Sequence, residues 1–321
     1  MSIDRTDPEG SIADAAKKCS NWGRWGQDDV LGTLNFLDES KRREGAALVR
    51  RGVSFSLSQR FDIDGPQKGW RRRTNPVHTM LDTGTDAALG NQGLPHGIGG
   101  ADDVIAMPLQ CSTQWDGLGH IFDHGKAWNG RPAEQVVTSD GDLVTGIEHM
   151  APHVAGRGVL LDVGRVIGDR EGGLPDGFAI TEEHLTATAA AHGVTVGRGD
   201  LVVVRTGQLT RVRRDGWGEY AGGPAPGLSF TTAGWLQGSE IAAIATDTWG
   251  FEVRPNEFEH AFQPLHQVAI PHIGLLIGEM WDLDALAEDC AADGVYDFLL
   301  VAAPLPITGA VGSPVNPIAV K

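Results

Sequence analysis

Four short apolar runs constrain this chain more than any other feature. They are "GVLLDV" (158–163), "DLVVVRTG" (200–207), "EIAAIATD" (240–247) and "YDFLLVAAPL" (296–305). Each is apolar over about one strand length, which suits a strand covered on both faces. The segments between them carry helix punctuation. "ITEEHLTATAAAHG" (180–193) has Thr181 as cap, Glu182 and Glu183 in its first turn and Gly193 as its stop. "TTAGWLQG" (231–238) reads as a short helix and "DLDALAEDCAADG" (282–294) as a longer one. Strands that alternate with helices predict an α/β chain with a mixed β-sheet core flanked by helices. Upstream, "ESKRREGAALVRRG" (39–52) predicts a helix closed by Gly52, and "VSFSLSQRF" (53–61) an alternating strand. Residues 63–103 are rich in Gly, Pro, Asp and Asn, and a loop of that length is usually functional or disordered. No repeat or linker divides the chain, so a single domain over 21–321 is expected, preceded by a loose arm at 1–20.

The 321 residues suffice for a sizeable core, and 41% apolar with 21% charged residues is ordinary for a soluble globular protein. The net charge is −16, from 26 basic and 42 acidic residues, which disfavours nucleic acid as a partner. One compact basic run, Trp70-Arg71-Arg72-Arg73, reads as a solvated loop in preference to a phosphate contact. The cysteines Cys19, Cys111 and Cys290 are odd in number and far apart, so neither a disulfide framework nor a CxxC knuckle is expected. Cys111 reads as small buried filler. The polar start "MSIDRTDPEG" is not expected to be a signal peptide, and "FLLVAAPLPITGAV" (298–311) is too short and proline-broken to span a membrane. A cytoplasmic protein without a membrane partner is the expectation.

Several catalytic frameworks are missing from the sequence. It has no G-x-S-x-G elbow, no P-loop, no G-x-G-x-x-G between strand and helix, and no H-E-x-x-H. Two clusters remain. One is Gln114-x-Asp116-x-x-x-His120 with His124, inside the glycine-rich "STQWDGLGHIFDHGKAWNG" (112–130). The other is His266, His272 and Glu279 in "PLHQVAIPHIGLLIGEMWDL". Asp116 and His120 are four apart, but Gly117 and Gly119 argue for a turning loop that aims both side chains at one point. Neither cluster supplies enough ligands for a metal alone. Together they do, with a position left open for water, as at catalytic metals.

These residues resemble the signature of the cyclase-like metal hydrolases, which include bacterial kynurenine formamidases and isatin hydrolases. That family's motif runs His-x-Gly-Thr-His-x-Asp-x-Pro-x-His, and Thr113, Asp116 and His120 match it in register. "HQVAIPHIGLLIGEMWDLDALA" is similar to the family's second metal segment, with His266 and Glu279 at the ligand positions. "NWGRWGQDDVLGTLN" (21–35) resembles the start of its longer members. Glutamines Gln110 and Gln114 stand where the motif has histidines, and Leu118 stands where it has proline. Because an amide oxygen is a poor zinc ligand, one ion is expected in place of two.

The resemblance implies a swivelling β/β/α-like fold, a homo-oligomer (dimer or tetramer) and hydrolysis of a C–N amide bond or a lactone. With those departures, the expectation is one Mn or Zn ion held by Asp116, His266 and some of Gln114, His120 and Glu279. His120 and Asp116 are the expected catalytic residues, with His120 a ligand or the general base and Asp116 anchoring the water. Trp115, Phe122, Trp128 and Trp25, with His124, are expected to line a pocket for a small aromatic or cyclic substrate. Two other readings stay open. His120, His266 and Glu279 could form the triad of a non-haem iron oxygenase, or the two glutamines could mark a ligand-binding member without catalysis.

Overall fold

The structure is a computed structural model and describes residues 3–321. Its centre is a nine-stranded mixed sheet. Strands Ala155–Asp162, Leu201–Arg205, Ala243–Thr246 and Leu276–Glu279 lie side by side and run parallel. Three of them are apolar runs read from the sequence, Leu276–Glu279 is not among those runs, and the fourth run forms the antiparallel strand Asp297–Val301. Val202, Val203, Ile244 and Ile277 are essentially inaccessible to water. Burying one such side chain contributes roughly 1.5–3 kcal/mol. The sheet is extended on both sides by antiparallel strands. Asp297–Val301, Ile318–Val320 and Ser54–Ser56 follow Ala155–Asp162 on one side. Gln114–Asp116 and then Gly312–Pro314 follow Leu276–Glu279 on the other.

The helices fall where their punctuation placed them. Glu182–Ala191 begins after Thr181, whose N–H is accepted by His184 Nδ1 at 3.1 Å, and Gly193 follows with φ +66°. Asp284–Asp293 ends on Gly294 with φ +73°. The helix expected over 39–52 is shorter, Glu39–Ala47, and the strand after it keeps only Ser54–Ser56.

Two expectations are corrected. The segment read as a loose arm contains the helix Pro8–Cys19, with Asp7 accepting from Gly10 N at 2.9 Å. Its Ile12, Ala15, Ala16 and Cys19 are buried in the main core. The long loop at 63–103 holds the first strand of an exposed hairpin, Val77–Asp82 paired with Asp102–Ala106. All three cysteines are free and buried, and among the described residues no helix is long and apolar enough to cross a membrane.

Candidate metal centre

Gln114, Trp115 and Asp116 form a strand, although no periodicity marks it. Three residues are too few to show one, and glycines follow at once. Its neighbour is Leu276–Glu279, in a register that sets Gln114 opposite Glu279 and Asp116 opposite Ile277. Side chains alternate along a strand, so Gln114, Asp116 and Glu279 share one face of the sheet. Glu279 ends its parallel strand, which puts the group at the carboxyl edge where open α/β sheets bind ligands.

His266 arrives from the short helix Pro264–Val268, which runs through a π-helical turn, Ala269–Ile273, into the Glu279 strand. Its Nε2 lies 3.2 Å from Glu279 Oε1. Asp116, His266 and Glu279 each offer one ligand atom, all within 4.8 Å of one another, and all three residues are buried. They are the ligands expected from both halves of the sequence. His120 stands beside this group, its Nε2 3.7 Å from Asp116 Oδ1. The compact set therefore has one histidine and two carboxylates, and the His120–His266–Glu279 triad is not assembled in it.

Sequence reasoning missed Glu252. This carboxylate is 3% exposed and accepts from the backbone N–H groups of Leu265 (3.1 Å) and His266 (3.0 Å). It thereby holds the start of the His266 helix. It also accepts from His266 Nδ1 at 2.5 Å, leaving Nε2 to face Glu279. Carboxylate–imidazole pairs of this kind orient metal-binding histidines. Its sequence signal was a lone Glu between the apolar residues Phe251 and Val253.

The group is electrostatically frustrated. Burial, reinforced by the charge of Asp116, pushes the Glu279 carboxyl up to about 7. Burial alone would depress His266, but hydrogen bonds to Glu252 and Glu279 push it up to about 10. Burial holds His120 below its usual range against the pull of Asp116. Gln114 relieves some repulsion, since its Nε2 donates to Glu279 Oε2 (2.9 Å) and Asp116 Oδ1 (3.3 Å). Its Oε1 is buried without a partner. Buried carboxylates that crowd one imidazole, with an orphaned amide oxygen beside them, fit a divalent cation. Rotating the Gln114 amide by a half turn would exchange its nitrogen for that oxygen.

The loop after Asp116 is tied to the His266 segment. Asp123 accepts from Gln267 Nε2 (2.6 Å) and from His272 Nε2 (2.8 Å). The chain turns here as expected, His120 N donating to Gly117 O at 3.1 Å, although neither Gly117 nor Gly119 takes a positive φ. A Cβ at Gly119 would lie 2.1 Å from Asp142 Oδ2, a close approach that only glycine permits.

The expected substrate wall is not gathered at this face. Trp115 points to the opposite side, where its indole donates to Ala302 O (2.7 Å) and packs edge-on against Trp281 at 4.8 Å. Trp128 is core, bonded to Asp29. Trp25 packs on Phe36 and Trp128. Phe122 is surface-exposed, and His124 is an exposed partner of Asp123. Gln110 lies against Gly312, the residue paired with Asp116. Cys111 is inert filler as expected, its thiol pushed up to about 11 by burial.

Comparison with known proteins identifies the family and the fold. The Cyclase family model matches residues 53–253. A crystal structure described as a novel cyclase is 39% identical over 94% of this chain and 99% of its own, with a TM-score of 0.85. Isatin hydrolase A from Ralstonia solanacearum is 17% identical over 84% of this chain and 92% of its own, with a TM-score of 0.61. Isatin hydrolase A from Labrenzia aggregata, solved with benzyl benzoate, is 18% identical over 85% and 94%, with a TM-score of 0.60. The two isatin hydrolases share the fold. No curated protein sequence matches the chain. The family match and the 39% identical structure together establish that this chain belongs to the cyclase family.

Proposed function

We propose that the protein is a metal-dependent hydrolase that opens a C–N amide bond, linear or cyclic, or a lactone, in a small substrate. The observation that carries this reading is the buried Asp116–His266–Glu279 group at the carboxyl edge of the sheet. Membership of the cyclase family and the shared fold of the isatin hydrolases support it.

Asp116, His266 and Glu279 would hold one divalent ion, Mn or Zn, with Gln114 Oε1 available as a further neutral oxygen. When bound, such an ion lowers the pKa of a coordinated water and polarises a carbonyl. The chain's own residues do the rest. Glu252 holds the Nδ1 proton of His266 and so fixes the ring. Gln114 spaces the two carboxylates. His120 is neutral near neutral pH because it is buried, so its Nε2 can take a proton from the attacking water and return it to the leaving nitrogen or oxygen. Asp116, 3.7 Å away, stabilises the imidazolium that forms.

The test is metal analysis of the purified protein together with a panel of aryl formamides, cyclic amides and lactones. Wild type should carry or take up one divalent ion per chain and turn over part of the panel. Asp116→Ala and His266→Ala should lose both properties. Full turnover by a metal-free Asp116→Ala protein would sink the proposal.

A further inference from the structure

The basic run at 70–73 does not lie wholly in solvent. Arg71 and Arg72 are exposed, whereas Arg73 is only 9% exposed. The backbone takes φ +51° at Arg71 and +63° at Arg72, both left-handed for residues with a side chain. Two such residues in succession are uncommon and cluster at functional segments. The turn is closed by Arg73 N donating to Trp70 O (3.0 Å) and Gly69 N donating to Arg73 O (3.1 Å). It carries the third arginine inward.

The Arg73 guanidinium sits over the Trp249 ring, 5.6 Å from its centroid. Among the described residues no carboxylate or carbonyl accepts from it. Its stem is covered while its nitrogens keep access to solvent, so the guanidinium is held against Trp249 and stays free to meet a ligand's oxygens. Its surroundings adjoin the metal centre. Trp249 packs with Met280, the residue after Glu279. The Trp249 indole reaches Gln67 Oε1 (3.4 Å), and Gln67 Nε2 donates to Cys111 O (2.7 Å). The charge of Arg73 acts on both Glu279 and His120. Trp70 meets Trp249 edge-on at 4.9 Å and lies over Phe262 at 5.4 Å. A cavity of about 740 Å³ lined by Arg254, Phe258 and Phe262 opens beside these rings.

We propose that Arg73, backed by Trp249, binds a carboxylate on an aromatic small molecule, and that the substrates of this site are aromatic acids carrying the hydrolysable bond elsewhere. A planar guanidinium accepts a carboxylate in two parallel hydrogen bonds, and the aromatic rings around it suit a flat ligand. The word substrate here rests on the hydrolase reading, whereas the carboxylate site does not. Hydrolysis of an amide also generates a carboxylate, but at the metal. A site formed by Arg73 must bind without one.

The test is calorimetric titration of benzoate and benzamide into EDTA-treated protein, repeated with Mn²⁺. Benzoate should bind the metal-free wild type saturably and at least tenfold more tightly than benzamide. Arg73→Gln should abolish that difference. Arg73→Lys, which keeps a cation but loses the planar fork, should melt like wild type and bind benzoate severalfold more weakly. Equal affinity for benzoate and benzamide, benzoate binding that needs Mn²⁺, or unchanged benzoate binding in Arg73→Gln each overturns the proposal. Metal uptake is read in the same titrations. Loss of the metal reading with intact benzoate binding, or the reverse, separates the two proposals.

Discussion

Gln114 and Glu279 face each other across neighbouring antiparallel strands, and the amide nitrogen of one lies 2.9 Å from the carboxylate of the other. The same nitrogen is 3.3 Å from Asp116. One neutral side chain therefore separates two buried anions. Gln114 is thus a donor that tempers repulsion while no cation is present.

Gln114→Glu should make that role visible. It removes the donor and adds a third carboxylate to the group. In EDTA the variant should lose on the order of 2 kcal/mol, about 3 °C in melting temperature for a chain of this size. Saturating Mn²⁺ should shrink or reverse the deficit, because carboxylate is a better ligand than amide for a hard ion. Thermal melts with and without Mn²⁺ measure both. An unchanged melting temperature in EDTA would mean that the amide does not hold the two carboxylates apart.

Glu252 should act on a bound metal through His266. Glu252→Gln keeps an acceptor for the Leu265 and His266 N–H groups but loses the charge facing Nδ1. Metal affinity should fall by about 10–100-fold, as for other partners of ligand histidines. Glu252→Ala should in addition destabilise the helix start by about 1 kcal/mol. Metal titration by calorimetry and melting in EDTA separate the two effects.

Metal-free protein should lose stability as pH rises. Glu279 titrates near 4.5 when unfolded and at about 7 when folded, so between those values the folded chain holds the extra proton. Stability is therefore lost as pH climbs through that window. His266 has the same sign over a higher window, from 6.5 unfolded to about 10 folded. A bound divalent cation replaces these protons and should reverse the trend, since binding strengthens as the ligands deprotonate. Melting temperatures from pH 5 to 9, in EDTA and in Mn²⁺, give the two slopes. A rising slope in EDTA would contradict the carboxylate crowding.

The sequence made some of this legible and hid the rest for physical reasons. Three of the four parallel strands declared themselves because both faces are buried and the apolar runs are unbroken, whereas Leu276–Glu279 reads only as part of a ligand segment. Asp116, His266 and Glu279 were candidates by residue type and by resemblance to the cyclase-like motif, and the structure brings them together. The N-terminal helix carried its signals in full, with Asp7 as cap, Pro8 and Glu9 in the first turn, and Lys17 and Lys18 in the last, yet it reads as polar because only one face is covered. Glu252 could not be found by spacing, since it lies 14 residues from the histidine it orients. Arg73 was hidden inside a charge run whose first two arginines do face water.

Trp115 shows what turns on the parity of one strand. Flanked by Gln114 and Asp116, it looks like a pocket residue until the strand is known, and alternation then sends it to the other face. There its indole satisfies the Ala302 carbonyl at 2.7 Å and its ring packs on Trp281. Trp115→Phe should leave that buried carbonyl short of a donor, at about 1–3 kcal/mol, and open a small cavity. The melting temperature should drop by several degrees. The KM for any substrate found should stay within about twofold of wild type, because uniform substrate binding would not have been touched. If the variant kept its stability and KM rose tenfold, the indole would have to reach the substrate, and the register that pairs Gln114 with Glu279 would be wrong by one residue.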